Sequence, residues 1–396
     1  MESVKPVKLL QAGMRYRSIP NSELVVSELC LGTMNFGDQL TKKTSHALLD
    51  AATQEYAINF IDTAESYPIP SAPSSHGKSE RIIGEWLKGK GSSTRQQLVI
   101  STKVCGFSDE MNWVRNSAGG SGGSKGGTRL NKKQIVEAVD AQLTRLGTDY
   151  IDLLHFHWPD RYVPLNGAHY SHDLEREAVS LVEQLEAVGE LVKAGKVRSF
   201  GLSNETPYGV ASFVKTAELV GGLPRPVSLQ NAYNLLEQNE FRMGLSEACA
   251  PLNGNLAVLA HSPLAGGALT GKYLDLDNTP QDARMRKYVG YMYRYVAAPA
   301  QAAVKDFSKV AASYDLPLGA VALAWVASQK VTSTVIGASS LGQLQEQVQA
   351  LNLAPLGAEL AQALAECSLQ HLDPTKGRFD IIDPNLGGCT YSIYCI

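Results

Sequence analysis

No uninterrupted apolar stretch in this chain approaches the roughly 20 residues that a membrane-spanning helix needs, and the opening Met1-Glu2-Ser3-Val4-Lys5 lacks the apolar core of an export signal. Both absences point to a soluble, unexported protein, on the simplest reading a cytoplasmic one. Cysteine is sparse: Cys30, Cys105, Cys249, Cys367, Cys389 and Cys395 are scattered without any Cys-x-x-Cys spacing, which suits reduced thiols. The ending Tyr394-Cys395-Ile396 places its thiol one residue from the end rather than four, so it is no prenylation box. Charge of one sign is lacking too. With 36 basic and 39 acidic residues and a formal net charge of -3, the chain offers no electrostatic case for nucleic acid or an anionic membrane. Any nucleotide contact must be local. The glycine-rich stretch Ser117 to Gly127 meets neither the Gly-x-Gly-x-x-Gly nor the Walker spacing and follows no strand–helix turn, so it reads as a flexible surface loop.

What the chain does have is length, 396 residues with 44% hydrophobic, and an ordered alternation of short apolar runs with amphipathic stretches. The runs Leu29 to Thr33, Asn59 to Asp62, Leu98 to Lys103, Ile151 to His157, Val197 to Ser203, Val227 to Asn231, Ala257 to His261 and Thr334 to Gly337 predict eight strands. Between them Thr44 to Ala57, Ser79 to Lys88, Asn131 to Leu146, Ala178 to Ala194, Pro207 to Leu219, Glu240 to Ala250, Gln301 to Tyr314 and Leu318 to Gln329 predict helices. Strand and helix repeated eight times is the pattern of an α/β protein closed into a (β/α)8 TIM barrel, with an open doubly wound sheet as its rival. Near-continuous apolar strands fit burial on both faces. Ahead of them, Met14 to Ile19 and Leu24 to Ser27 alternate around Pro20-Asn21-Ser22, which predicts a hairpin plugging one end of the barrel.

Chemistry gathers at the ends of these strands. Asp62-x-x-x-x-Tyr67 follows the second strand, Lys103 closes the third and His157 the fourth. In a parallel barrel the carboxyl ends of all strands open onto one face, so the four groups are expected to converge. A phenol titrates near 10, so Tyr67 as a proton donor would gain from the cation of Lys103, with Asp62 holding the ammonium. Taken singly each residue has a plainer reading: Tyr67 as packing, Asp62 with Lys103 as an ion pair, a histidine satisfied in the core. A second chemistry is open as well. The pair His155-Phe156-His157, with His169, His172 and Asp173 downstream, suggests a metal site and a hydrolase using bound hydroxide. Strands five to eight add only His261 to it.

The motifs Gly32-Thr33-Met34-Asn35-Phe36-Gly37, Asp62-Thr63-Ala64-Glu65-Ser66-Tyr67, Thr102-Lys103-Val104, His157-Trp158-Pro159, Gly201-Leu202-Ser203-Asn204 and Gly337-Ala338-Ser339-Ser340, in this order, resemble the aldo-keto reductases, most closely their Tas-like branch. The resemblance runs from about Arg15 to about Leu353 and implies one barrel domain over residues 1–396, with an extension from about residue 354. It implies a reductase of a small aldehyde or ketone that uses NADPH and no metal. Tyr67 matches the general acid, Asp62 and Lys103 its supporting pair, and His157 the group that orients the carbonyl; His155 has no catalytic counterpart. Ser203, Asn204 and Gln230 match the residues that hold the nicotinamide carboxamide, and Gly32, Thr33, Met34 and Asp62 lie among further cofactor contacts. The segment Ser262-Pro263-Leu264 through Gly267 to Lys272 matches the loop over the pyrophosphate, where glycine permits close backbone approach. Lys272 and Arg284 are placed to meet phosphate, and a 2'-phosphate would explain two cations. Gly337, Ser339, Gln343 and Gln347 match the adenosine side. His261 departs from the pattern, standing where an aromatic ring usually stacks on the nicotinamide, and a smaller ring there could carry a proton. The family also includes channel-associated subunits that bind NADPH and reduce carbonyls slowly; that branch carries Asn where this chain has His157.

Overall fold

Strand and helix alternate through the described residues, 13–115, 127–275 and 277–376, of a computed structural model. Of the expected loop Ser117 to Gly127 only Gly127 lies within them, and Cys389 and Cys395 lie outside. Two short strands, β1 (Tyr16–Ser18) and β2 (Val25–Ser27), pair antiparallel, and Asn21 makes their turn in the left-handed region with φ 57°. The barrel strands follow as β3 (Leu29–Gly32), β4 (Phe60–Asp62), β5 (Val99–Val104), β6 (Ile151–Phe156), β7 (Val197–Ser203), β8 (Ser228–Ala232), β9 (Ala257–His261) and β10 (Ser333–Ile336). Each pairs in parallel with its neighbours, and β10 pairs with both β9 and β3, so the sheet is closed. Closure rules out the open doubly wound sheet.

Helices α1 (Lys42–Asp50), α2 (Lys78–Lys88), α3 (Ser92–Gln97), α4 (Lys132–Leu146), α5 (Leu181–Lys193), α6 (Pro207–Val220), α7 (Ser246–Cys249), α8 (Arg284–Lys287), α9 (Ala298–Ala312), α10 (Leu318–Ala327), α11 (Leu341–Gln349) and α12 (Ala358–Gln370) cover the barrel. Their starts follow from local chemistry. Asn131, Ser180 and Thr206 accept hydrogen bonds from the backbone N–H three residues on, and Pro207 opens α6 where no N–H is needed. Two expected helices are interrupted: the stretch Thr44 to Ala57 changes to a wider π turn at Ala51–Glu55, and Glu240 to Ala250 begins with another at Phe241–Leu245. Four helices were not expected, α3, α8, α11 and α12; α12 packs on α9 beyond Leu353, where the resemblance ends. No described helix is long and apolar enough to cross a membrane.

The hairpin closes the amino-terminal mouth of the barrel. Ile19, Leu24 and Val26 join Cys30, Phe60 and Leu153 in one buried cluster, distinct from the larger core between strands and helices. That leaves the other mouth for chemistry.

Candidate active site

Side chains on a strand alternate, so every second residue of β5 and β6 enters the barrel. They stack in three layers. The lowest is apolar, with Val99 and Leu153. The middle is polar but closed upon itself: His155 lies between Ser101 and Ser228, its Nδ1 3.0 Å from one hydroxyl and its Nε2 3.0 Å from the other. Gly201 is the neighbour there because a Cβ would stand 2.2 Å from the Ser228 hydroxyl. Burial and the nearby Lys103 push the His155 pKa well below 6.5, so it is a neutral core residue with no ring nitrogen left for a metal. Among the described residues no group of three or more His, Cys, Asp or Glu could hold a metal ion. His172 lies on the surface against Glu175, far from His155 in character.

The upper layer holds the four groups singled out from the strand ends, and they do converge. Lys103 donates to Asp62 Oδ2 and, at 2.9 Å, to the Thr63 carbonyl, while Gln230 donates to Asp62 Oδ1 at 2.9 Å. Asp62 and Lys103 are both buried, so each needs the other: an isolated charge in that position would carry a desolvation penalty of several kcal/mol. The Lys103 ammonium lies 5.0 Å from the centre of the Tyr67 ring, and the Tyr67 and His157 rings meet edge to face at 5.6 Å.

One expectation is reversed. Tyr67 does not have its pKa lowered by Lys103; burial first and the Asp62 carboxylate second push it well above 10. The cation is already matched by Asp62, so its field on the phenol is largely cancelled. Tyr67 is therefore held as a protonated donor. His157 is pushed well below 6.5 by burial and then by Lys103, and stays neutral.

His261 is also corrected. Burial drives its pKa down to about 3 against the pull of Glu237, so it does not carry a proton at neutral pH. Its Nε2 lies 3.1 Å from Asn204 Oδ1 and its Nδ1 3.0 Å from the Ser262 hydroxyl. Asn204, at φ 49°, donates through Nδ2 to the His157 carbonyl at 2.9 Å, and Ser203 donates to the Gln230 carbonyl at 2.9 Å. Residues matched to the carboxamide thus form one braced rim.

A cleft of about 1500 Å³ opens over this layer and extends across the barrel mouth. Gly32, Met34, Asp62, Tyr67, His157, Ser203, Asn204, Gln230 and His261 line one end, Ser262, Pro263, Leu264, Gly267, Lys272 and Arg284 its side, and Gly337, Ser339, Gln343 and Gln347 the other end. Two expected residues do not line it. Thr33 faces away, its hydroxyl 2.7 Å from that of Ser79, and Lys103 sits behind Asp62. The alternation along β3 explains Thr33, since Cys30 and Gly32 point inward and their neighbours outward.

The cleft fits an extended anionic nucleotide. Among the described residues, Lys272 and Arg284 lie on its wall without a carboxylate in ion-pair contact, and Arg284 donates to Gln39 Oε1 at 3.1 and 3.3 Å. Burial and then Arg284 lower the Lys272 pKa, as expected for two cations facing one space. Gly266 and Gly267 turn the backbone at φ 63° and 99°, which bends the segment along the cleft. At the far end Gln347 Oε1 and Asn35 Oδ1 are buried acceptors without partners among the described residues. Sequence reasoning missed Glu237, Arg294 and Asn166: Arg294 donates to Glu237 at 3.0 Å and to Asn166 at 3.2 Å, tying the loop after β6 to the one before α9. Nothing local marks these residues, which meet across 57 and 128 positions of chain.

A closed parallel barrel with buried acid, base and phenol groups at its carboxyl mouth, under a nucleotide-sized cleft, defines a barrel oxidoreductase. The sequence model described as "Aldo/keto reductase family" matches residues 28–369, and the chain belongs to that family, whose members act on carbonyl and CH–OH groups. The match passes Leu353 and takes in most of α12. The chain is 39% identical over 361 residues to "Protein tas" of Escherichia coli (strain K12), covering 90% of this chain and 98% of that one. It is 43% identical over 262 residues to an "Aldo-keto reductase" of Babesia bovis, 64% of this chain and 88% of that one. It is also 30% identical over 352 residues to a "Probable voltage-gated potassium channel subunit beta" of Oryza sativa subsp. japonica, 87% of this chain and 93% of that one.

Proposed function

We propose that this oxidoreductase reduces a small aldehyde or ketone to the alcohol with NADPH, with Tyr67 as general acid. The observation that carries the reading is the convergence of a protonated phenol, a neutral imidazole and a buried Lys103–Asp62 pair at one cleft wall. Bound NADPH supplies the hydride. The chain's own residues do the rest: the Tyr67 hydroxyl donates a proton to the carbonyl oxygen, and His157, neutral, donates a second hydrogen bond that fixes that oxygen. Lys103, paired with Asp62, offsets that carboxylate's charge beside the phenolate that Tyr67 becomes.

Ser203, Asn204 and Gln230 would hold the carboxamide, His261 would lie flat against the ring, and Lys272 with Arg284 would meet phosphate. Two cations without carboxylate partners among the described residues favour NADPH over NADH. We read residues 1–396 as one barrel domain acting in the cytoplasm on a small molecule, without nucleic acid or membrane.

The test is Tyr67→Phe. Turnover is expected to fall by roughly 10²- to 10⁴-fold, the usual range for a lost general acid, with NADPH affinity retained. Unchanged turnover would remove Tyr67 from the role. A second reading, a nucleotide-binding regulatory subunit, draws on the likeness to the rice protein. His157 favours the enzyme, because the resemblance implies Asn there in the channel-associated branch. Following NADPH absorbance with a panel of aldehydes, ketones and quinones separates the two.

A further inference from the structure

Outside the barrel wall, between β6, β7 and helices α5 and α6, lies a second cavity of about 230 Å³. The outward residues of the strands build its floor, and the aromatic rings of Phe156, Trp158, Phe213 and Tyr208 stand around it with Leu181 and Leu202. Tyr208 is 72% exposed and marks the mouth. The charged residues on the wall are already matched. Asp160 accepts from Arg129 at 2.7 Å and from the backbone N–H of Leu130 and Val179, and Arg161 donates to Glu205 at 3.0 Å.

One polar atom there is not matched. Gln184, only 2% exposed, donates through Nε2 to the Val179 carbonyl at 2.8 Å, and its Oε1 has no partner among the described residues. The orientation is not arbitrary: reversing the amide would set oxygen against the Val179 oxygen. A buried, unbonded acceptor on a residue that lines this ring-walled space calls for a ligand that brings a single donor. Dry apolar cavities of about 150 Å³ take up benzene, so this one has room for a monocyclic aromatic molecule.

We propose that this cavity is a second binding site, separate from the cleft, for a monocyclic aromatic molecule carrying one hydroxyl or N–H donor. The ring packs among Phe156, Phe213 and Trp158, and the donor meets Gln184 Oε1. The site does not depend on the catalytic reading. It shares Ser203 and Glu205 with the main cleft as a common wall, so the two volumes are adjacent without being one.

The experiment titrates phenol and, separately, toluene into the full chain with methyl-labelled Leu and Met, read by NMR. Saturable millimolar phenol shifts are expected at Leu181 and Leu202, with Met34 of the main cleft unmoved. Absence of those shifts, or shifts confined to Met34, overturns the proposal using the unmodified protein alone. In Gln184→Met, close in shape but without the acceptor, the ratio of phenol to toluene affinity is expected to fall about tenfold, the size of one good net hydrogen bond. An unchanged ratio overturns it equally, because the comparison cancels the transfer of each ring from water.

Discussion

Two histidines two residues apart, His155 on β6 and His157 just past its end, enter the same barrel and differ in what surrounds them. His155 has both ring nitrogens beside serine hydroxyls and no opening to solvent. His157 has only a long 3.5 Å approach between Nδ1 and the Ser66 hydroxyl, and it lines the cleft. The lesson is that buried polarity alone does not mark a reactive group. A layer whose donors and acceptors close on each other holds the fold, whereas a layer that leaves atoms facing a cavity can meet a substrate.

The sharpest break of that contrast is Lys103→Met. Removing the cation leaves Asp62 buried and unpaired, a change that costs about 3–5 kcal/mol in such pairs, so the chemical-denaturation midpoint should fall steeply together with turnover. Next comes the histidine pair itself. His157→Asn should lower turnover by roughly 10²-fold with stability nearly unchanged, because a positioned donor is lost at a site already open to the cleft. His155→Leu should do the reverse, lowering stability by about 1–3 kcal/mol through two orphaned hydroxyls while turnover stays within a few-fold. Equal kinetic effects from both would collapse the distinction between the layers.

Acid probes the same distinction more gently. His76 is buried with neither ring nitrogen bonded among the described residues, and burial lowers its pKa from 6.5 to about 4. Between those values the unfolded chain takes up a proton that the folded one refuses. The stability that neutral His76 contributes is complete above pH 6.5 and is lost as pH falls toward 4. At pH 5 the loss from this group is about 2 kcal/mol, to be read as a lower unfolding midpoint than at pH 7 and diminished in His76→Gln. The smallest effect is expected on the cleft wall: Lys272→Ala should raise the KM for NADPH by about tenfold, with a lesser change for NADH and little change in kcat.

The barrel was legible because each strand joins an apolar run to a polar end, and the spacing of Asp62, Lys103 and His157 along three such ends needs only parallel closure to bring them together. Thr33 was misplaced although the alternation of Cys30 and Gly32 would have turned it outward. The helix α11 was missed because its buried positions include Gln347, a polar residue whose amide donates to the Gly337 carbonyl at 2.8 Å rather than an apolar one that periodicity would register. The shift of Tyr67 was misjudged for a different reason: the pairing of Lys103 with Asp62 was expected, but not the burial of the phenol itself beside that carboxylate, which dominates.

The hairpin at the base has a bearing on traffic. With Ile19, Leu24 and Val26 sealing one end and the His155 layer bonded shut above them, the barrel is a flask with a single neck. Lys103 is 1% exposed and its partner Asp62 lines the cleft, so whatever fills the cleft covers the side of the pair that faces water, setting that charge further from the medium for as long as it stays bound.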